Sequence, residues 1–202
     1  MLRESKKSDS KFSIEIKKNI MDKWKILSKE KVADFRVFDI YREKLLLTQK
    51  HSEHEFYIME APDWVNVIPI TADKKVVLIK QYRAGIDDIT IEIPGGVIDS
   101  DDVSPVVAAG RELEEESGYL SPNLSLLGYV NPNPAFLTNK CYIVLAENVE
   151  PKGKTNFDPA EYIETYTVPL TDINNMISTG EIRHALTVAA FSMLRASRPD
   201  LF

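Results

Sequence analysis

Apolar residues recur along this chain with two different periods. Short runs rich in β-branched and aromatic residues lie at Trp64–Thr71, Lys75–Tyr82, Thr90–Ile93, Leu124–Tyr129, Cys141–Ala146 and Tyr162–Val168, and their lengths predict strands. The first two runs are continuous rather than alternating, as in strands buried on both faces of a central sheet. The link Ala72-Asp73-Lys74 predicts a hairpin between them. Nearer the N-terminus, three antiparallel strands are predicted from Phe35, Val37, Phe38 and Ile40, then Leu45 to Thr48, then Phe56-Tyr57-Ile58. Between residues 12 and 30 the apolar positions are mixed with lysines at a spacing that fits neither period, so helix and strand both stay open. Helical spacing appears after Ser104, at Leu170–Ile177 and at Ile182–Ala196. Many strands with one helix in their midst and two at the end indicate an α+β fold. No internal repeat and no Pro-, Gly- or Ser-rich linker divides the chain.

The middle of the chain carries the unusual chemistry. The strand Ile91-Glu92-Ile93 runs into Pro94-Gly95-Gly96, which reads as a turn, because proline withdraws a donor and glycine admits positive φ. Ser104 is a natural N-cap, Pro105 fits the first helical turn, and Gly118 fits the position just past the helix end. At 100° per residue Val106, Ala109, Leu113 and Ser117 form a core-facing stripe. Glu112, Glu115 and Glu116 share another face, with Arg111 and Glu114 on the remaining side. Four glutamates in five positions, 112 to 116, repel one another by roughly a few tenths of a kcal/mol per pair. A divalent cation is the natural compensation, since converging carboxylates are the hard oxygen ligands that Mg²⁺ or Mn²⁺ prefers. A merely solvated acidic face is the plainer alternative.

Composition narrows the classes. A chain of 202 residues with 44% hydrophobic content builds one domain of ordinary size. The formal charge of -6 argues against a nucleic-acid binder that works by neutralising phosphates. Cys141 is the single cysteine, which excludes a disulfide framework and a multi-thiolate metal site. The charged segment Met1–Ser10 is followed by no apolar run long enough for a signal peptide or a membrane span, so a cytoplasmic protein with no membrane partner is expected. Residues 1–22 read as an N-terminal extension, partly disordered by composition, and residues 23–202 as a single domain.

Gly96, Asp102, Arg111-Glu112-Leu113, Glu115-Glu116 and Gly118-Tyr119 resemble the Nudix box, Gly-x5-Glu-x7-Arg-Glu-U-x-Glu-Glu-x-Gly-U, with U aliphatic or aromatic. The second half matches at every defined position. In the first half Asp102 stands where the family has glutamate, and eight residues rather than seven separate it from Arg111; counting back from Arg111 places Val103 there instead. The resemblance implies an α/β/α sandwich around a central mixed sheet, here with an N-terminal antiparallel β region at 23–60, and hydrolysis of a nucleoside diphosphate linked to another group with Mg²⁺ or Mn²⁺. It further implies Glu112, Glu115 and Glu116 as metal ligands, with the Gly95 carbonyl as an extra ligand and Arg111 orienting the glutamates by ion pairing.

Outside the box, Gln81-Tyr82-Arg83, Pro134 within Asn131-Pro132-Asn133-Pro134-Ala135-Phe136, and Gly180-Glu181-Ile182 leading into His184-Ala185-Leu186-Thr187 are similar to the ADP-ribose and nucleoside diphosphate sugar pyrophosphatase branch. On that resemblance Arg83, Pro134 and Phe136 are substrate-contact candidates, although Arg83 could instead hold a neighbouring carboxylate and Pro134 could simply stiffen its loop. Asp158, Glu161 and Glu164 fall in the late loop that supplies the catalytic carboxylate in such enzymes, with Glu161 the candidate base. His184 reads as a helix-start residue, Cys141 as a small core residue, and Phe35, Phe38 and Tyr41 as core rings with base stacking as the alternative. The branch also implies a homodimer joined through residues 23–60. A nucleoside triphosphate or dinucleotide polyphosphate hydrolase, and a non-catalytic nucleotide-sensing module, remain as other readings.

Overall fold

Charge rather than apolar patterning makes the first sheet. The structure, a computed structural model, describes residues 22–157, 159 and 162–202. Strands β1 (Lys25–Asp34), β2 (Asp39–Leu47) and β3 (Ser52–Glu60) form a three-stranded antiparallel sheet in that order. The expected number of strands is found, but their limits differ. Strand β1 runs through the stretch whose spacing fitted neither period, and Phe35, Val37 and Phe38 lie in the link to β2. The reason lies in the side chains of β1, nearly all exposed, whose partners are charges across the strand: Lys29 with Glu43 at 3.4 Å and Glu30 with Arg42 at 2.6 Å. Opposite charges on facing positions stabilise a ladder without an apolar face, so hydrophobic periodicity does not register it.

The second sheet comprises β4 (Trp64–Ile70), β5 (Lys75–Arg83), β6 (Asp88–Glu92), β7 (Gly95–Val97), β8 (Asn123–Val130), β9 (Cys141–Glu147) and β10 (Ile163–Pro169). Its order is β10-β5-β4-β9-β8, with β6 paired to β5 and β7 to β4. Strands β4 and β9 are parallel and the other pairs antiparallel, which makes the sheet mixed. Helix α1 (Pro105–Ser117) covers one face, where Ala108, Ala109 and Leu113 pack on Val65, Val67, Val77 and Val144. Helices α2 (Ile173–Ser178) and α3 (Ala185–Ser197) cover the other, where Ile173, Phe191 and Leu194 pack on Ile68, Leu78 and Ile143. The two-sided burial expected from the continuous apolar runs is present, and the layers are α/β/α.

Three local expectations are revised. The link at 72–74 joins β4 and β5, but the strands pair only at Ile70 and Val76. They then splay, β4 taking β9 and β7 as neighbours and β5 taking β10 and β6, because the inserted 88–97 segment hydrogen-bonds to both. Gly95-Gly96 is no turn: both glycines lie in β7, paired with Asn66 and Val65, and neither has positive φ. Helix α3 starts three residues later than its pattern, because Arg183 and His184 before it are drawn to carboxylates on β6. Helix α1 begins and ends where its caps place it: Ser104 Oγ accepts from Val107 N, and Gly118 is left-handed with φ 70°.

Candidate active site

The glycines of β7 are there for close approach. A Cβ on Gly95 would lie 2.2 Å from the Val65 carbonyl oxygen, and one on Gly96 would lie 2.6 Å from Glu112 Oε1. Only bare backbone lets α1 sit this near the sheet. The contact brings Gly95 N to donate to Glu116 Oε2 at 2.7 Å, so strand and helix are joined through a carboxylate and not through apolar packing alone.

Arg111 lies among the glutamates rather than on a separate side of α1. Its Nη1 donates to Glu112 Oε1 at 2.8 Å and to Glu115 Oε2 at 3.0 Å. Its Nη2 donates to Asp102 Oδ2 at 2.9 Å and to the Val97 carbonyl at 3.0 Å. The long side chain crosses from one helical face to the next, which an assignment by angle alone misses. Hydrogen bonding to Arg111 holds the Asp102 carboxyl below the usual range against the opposing effect of burial, and Asp99 N also donates to Asp102 Oδ2 at 3.0 Å. The extra residue before the helix is absorbed in the loop at 98–104, where Val103 is 87% exposed and makes no claim on a ligand position. The aspartate therefore reaches the arginine with a shorter side chain from a longer loop.

Around this cluster lies a cavity of about 400 Å³, whose lining includes Gln81, Arg83, Gly95, Gly96, Arg111, Glu112, Glu115, Glu116 and Asn156. Its donors are hard oxygens, the set that suits Mg²⁺ or Mn²⁺. Among the described residues no three His, Cys, Asp or Glu side chains are already gathered into a cage for an ion, since the Arg111 guanidinium lies between Glu112 and Glu115. An ion would draw the carboxylates partly away from that guanidinium, a rotation within reach of glutamate side chains.

The other expected residues are not all gathered here. Arg83 lines the cavity with its fork on Glu92: Nε to Oε1 and Nη2 to Oε2, both 2.7 Å. Pro134 and Phe136 are exposed on the loop between β8 and β9, away from the cavity lining, and Phe136 O accepts from Met59 N at 2.7 Å. Glu161 and Asp158 lie outside the described residues, and Glu164 is exposed on β10. Cys141 is fully buried with Sγ 3.0 Å from Asn66 Oδ1, and burial pushes its thiol up to about 12, which rules out a ready thiolate nucleophile. Phe35 and Phe38 are not core rings. They contact each other at 5.0 Å between centroids, Phe35 half exposed, beside a hollow formed by residues 34–39 and 60–62. Tyr41 lies under Lys29 Nζ at 4.3 Å. Sequence reasoning passed over Glu92 as a site residue. A carboxylate inside an apolar strand, across a hairpin from an arginine, was the available signal.

A family model described as the NUDIX domain matches residues 60–191. ADP-ribose pyrophosphatase of Bacillus subtilis (strain 168) is 30% identical over 173 residues, covering 85% of this chain and 92% of that protein. ADP compounds hydrolase NudE of Escherichia coli (strain K12) is 27% identical over 173 residues, covering 84% and 90%. A crystal structure of an ADP compounds hydrolase superposes with a TM-score of 0.77 at 26% identity, covering 87% of this chain and 94% of that one. With the family match spanning well over half of its length, and a carboxylate helix packed on a glycine strand at its centre, the chain belongs to the NUDIX family.

Proposed function

We propose that this chain is a metal-dependent pyrophosphatase that hydrolyses ADP-ribose or a related nucleoside diphosphate sugar to a nucleoside monophosphate and a sugar phosphate. The observation that carries the reading is the cavity in which Glu112, Glu115 and Glu116 converge beside Gly95 and Gly96, with Arg83 on its wall. The names of the relatives support the choice of substrate.

Glu112, Glu115 and Glu116, with the Gly95 carbonyl, would hold Mg²⁺ or Mn²⁺. When bound, such an ion neutralises charge on the pyrophosphate and acts on it as a Lewis acid. The chain's own groups do the rest. Arg111 keeps the carboxylates converging, and Asp102 anchors Arg111 from the loop side. Arg83 presents a planar cation to the substrate's phosphates. Glu161 takes the proton of the attacking water, the new P–O bond forms as the anhydride P–O bond breaks, and the second phosphate leaves. Pro134 and Phe136, outside the cavity lining, would meet only the part of the substrate that projects beyond it. Cytoplasmic placement belongs to the same reading, since a single cysteine suits a reducing compartment. No helix among the described residues is long and apolar enough to cross a membrane.

Incubation with ADP-ribose, other sugar nucleotides, nucleoside triphosphates and dinucleoside polyphosphates, each with Mg²⁺ and with EDTA, tests the assignment. Metal-dependent monophosphate release is expected to be fastest from a sugar nucleotide. Release only from triphosphates or dinucleoside polyphosphates would replace the substrate class, and no release from any of them would remove the enzymatic reading.

Asp102 gives a finer test. Replacing Asp102 by Asn leaves the loop's hydrogen bond but removes the charge that holds Arg111, and turnover is expected to fall about tenfold, in the range of lost outer-shell partners. Asp102→Glu should retain most of the activity. Equal losses in both variants would count against an anchoring role.

The N-terminal sheet is proposed as the interface of a homodimer. It exposes Ile26, Leu27, Val32 and Tyr57, with Val37 exposed on the link between β1 and β2, more apolar surface than a small solvated sheet needs, and its tie to the rest of the chain includes the bridge from Met59 to Leu137. Sedimentation equilibrium at micromolar concentration is expected to give twice the chain mass of 22.9 kDa; a monomer would contradict the interface.

A further inference from the structure

We propose that Glu92 and His184 are positioning residues, which clamp the guanidinium of Arg83 where three cavities meet so that it faces the substrate's pyrophosphate in one fixed orientation. The proposal rests on the pyrophosphatase reading above and names two residues that its chemistry does not use directly.

The β5–β6 pairing sets the geometry. Arg83 faces Asp88, Gln81 faces Thr90 and Ile79 faces Glu92, so Arg83, Thr90 and Glu92 share one face of the hairpin. Arg83 folds back along that face, past Thr90, and closes both arms of its fork on Glu92 at 2.7 Å. The Glu92 side chain is 1% exposed, whereas that of Arg83 is 41% exposed. The carboxylate is thus buried beneath a guanidinium that looks outward. Arg83 borders the carboxylate cavity, a second of about 380 Å³ that includes Glu92 and His184, and a third of about 720 Å³ beside the β5–β6 turn.

A buried carboxylate with a single bidentate partner could still rotate about its side chain with that partner. Here it cannot, because two further groups grip it. The Thr90 hydroxyl donates to Glu92 Oε1. His184 Nδ1, arriving from the segment before α3, lies 3.3 Å from Glu92 Oε2 and 3.1 Å from Thr187 Oγ1. Burial of the imidazole keeps His184 below its ordinary value, outweighing the opposite pull of Glu92. The ring makes its hydrogen bond with Thr187 and sets its Nδ1 edge against Glu92 Oε2, which closes the space into which the carboxylate would turn. The clamp is built from three elements, β5, β6 and the start of α3, and its exposed end is the arginine.

A purely structural pair and a positioning clamp differ in what their loss does to kinetics. With ADP-ribose and saturating Mg²⁺, Glu92→Gln is expected to raise KM about tenfold while kcat changes less than about threefold, since binding in the ground state is what is lost. In an Arg83→Ala background the same substitution should add less than about twofold, because its effect passes through the arginine. His184→Ala should raise KM about threefold, and His184→Asn, whose amide keeps a polar group in the Nδ1 place beside Glu92 and Thr187, should restore it to within about twofold. An undiminished Glu92→Gln effect in the Arg83→Ala background, or a loss in kcat with KM unmoved, would overturn the proposal. If Glu92→Gln fails to fold by circular dichroism, the His184 pair decides on the same criteria. If the wild-type protein turns over no sugar nucleotide, the functional reading fails on its own, and the same cycle is read from the Kd of inorganic pyrophosphate, where additivity would overturn the clamp.

Discussion

Replacing Glu116 by Gln is expected to lower kcat on the order of 10²- to 10³-fold while substrate affinity changes little. Glutamine has nearly the same shape, and its amide oxygen can still accept from Gly95 N, the 2.7 Å bond that joins α1 to β7. Folding should therefore survive. What is lost is a negative charge in a cavity whose chemistry is electrostatic, and single preorganised groups of that kind carry about 10²- to 10³-fold in turnover. Steady-state kinetics beside a binding titration separates the two effects. Small and equal changes in kcat and Kd would instead favour a nucleotide-sensing module without turnover.

The second large effect sets two neighbouring glycines against each other. A methyl group on Gly96 would meet the carboxylate of Glu112, with atoms at 2.6, 2.8 and 2.9 Å. That carboxylate is the mobile end of a side chain, so it gives way and the sheet does not. Gly96→Ala is expected to fold normally and lose about 10²-fold in kcat, as misplacement of a reacting group by about 1 Å costs. A methyl group on Gly95 would instead meet the Val65 carbonyl oxygen at 2.2 Å and Asn66 Cα at 2.9 Å. Backbone must move, and Gly95→Ala is expected to destabilise the fold by about 3 kcal/mol. Urea unfolding and kinetics on both variants check the contrast; a Gly96→Ala enzyme of full activity would dissociate Gly96 from the placement of Glu112.

How far residues alone reach is clear from these elements. The limits of α1 were legible because its caps are local: Ser104 and Gly118 act within one turn of themselves. The layers of the main sheet were legible because strands buried on both faces admit little besides apolar residues. Strand β1 was not, since its partners are charges that only the register brings opposite. The glycines of β7 were identified as special for the wrong reason. Their neighbours in space, Val65 and Glu112, are far away in sequence, and close approach leaves no mark that distinguishes it from a turn. Arg111 and Asp102 were placed near the cluster by the family pattern, whereas their shared bond depends on a loop path that spacing does not specify. Glu92 and His184 lie 92 residues apart, beyond any periodicity.

On the proposed function, the glutamates of α1 bind divalent ions for pyrophosphate cleavage. Mn²⁺ titration followed by electron paramagnetic resonance, in the presence of a non-hydrolysable ADP-ribose analogue, measures this binding directly. Saturable binding by the wild-type protein that is lost in a Glu112→Gln, Glu116→Gln double variant is the expected result. Unchanged Mn²⁺ binding in that variant, or ADP-ribose hydrolysis that continues undiminished in EDTA, would contradict it.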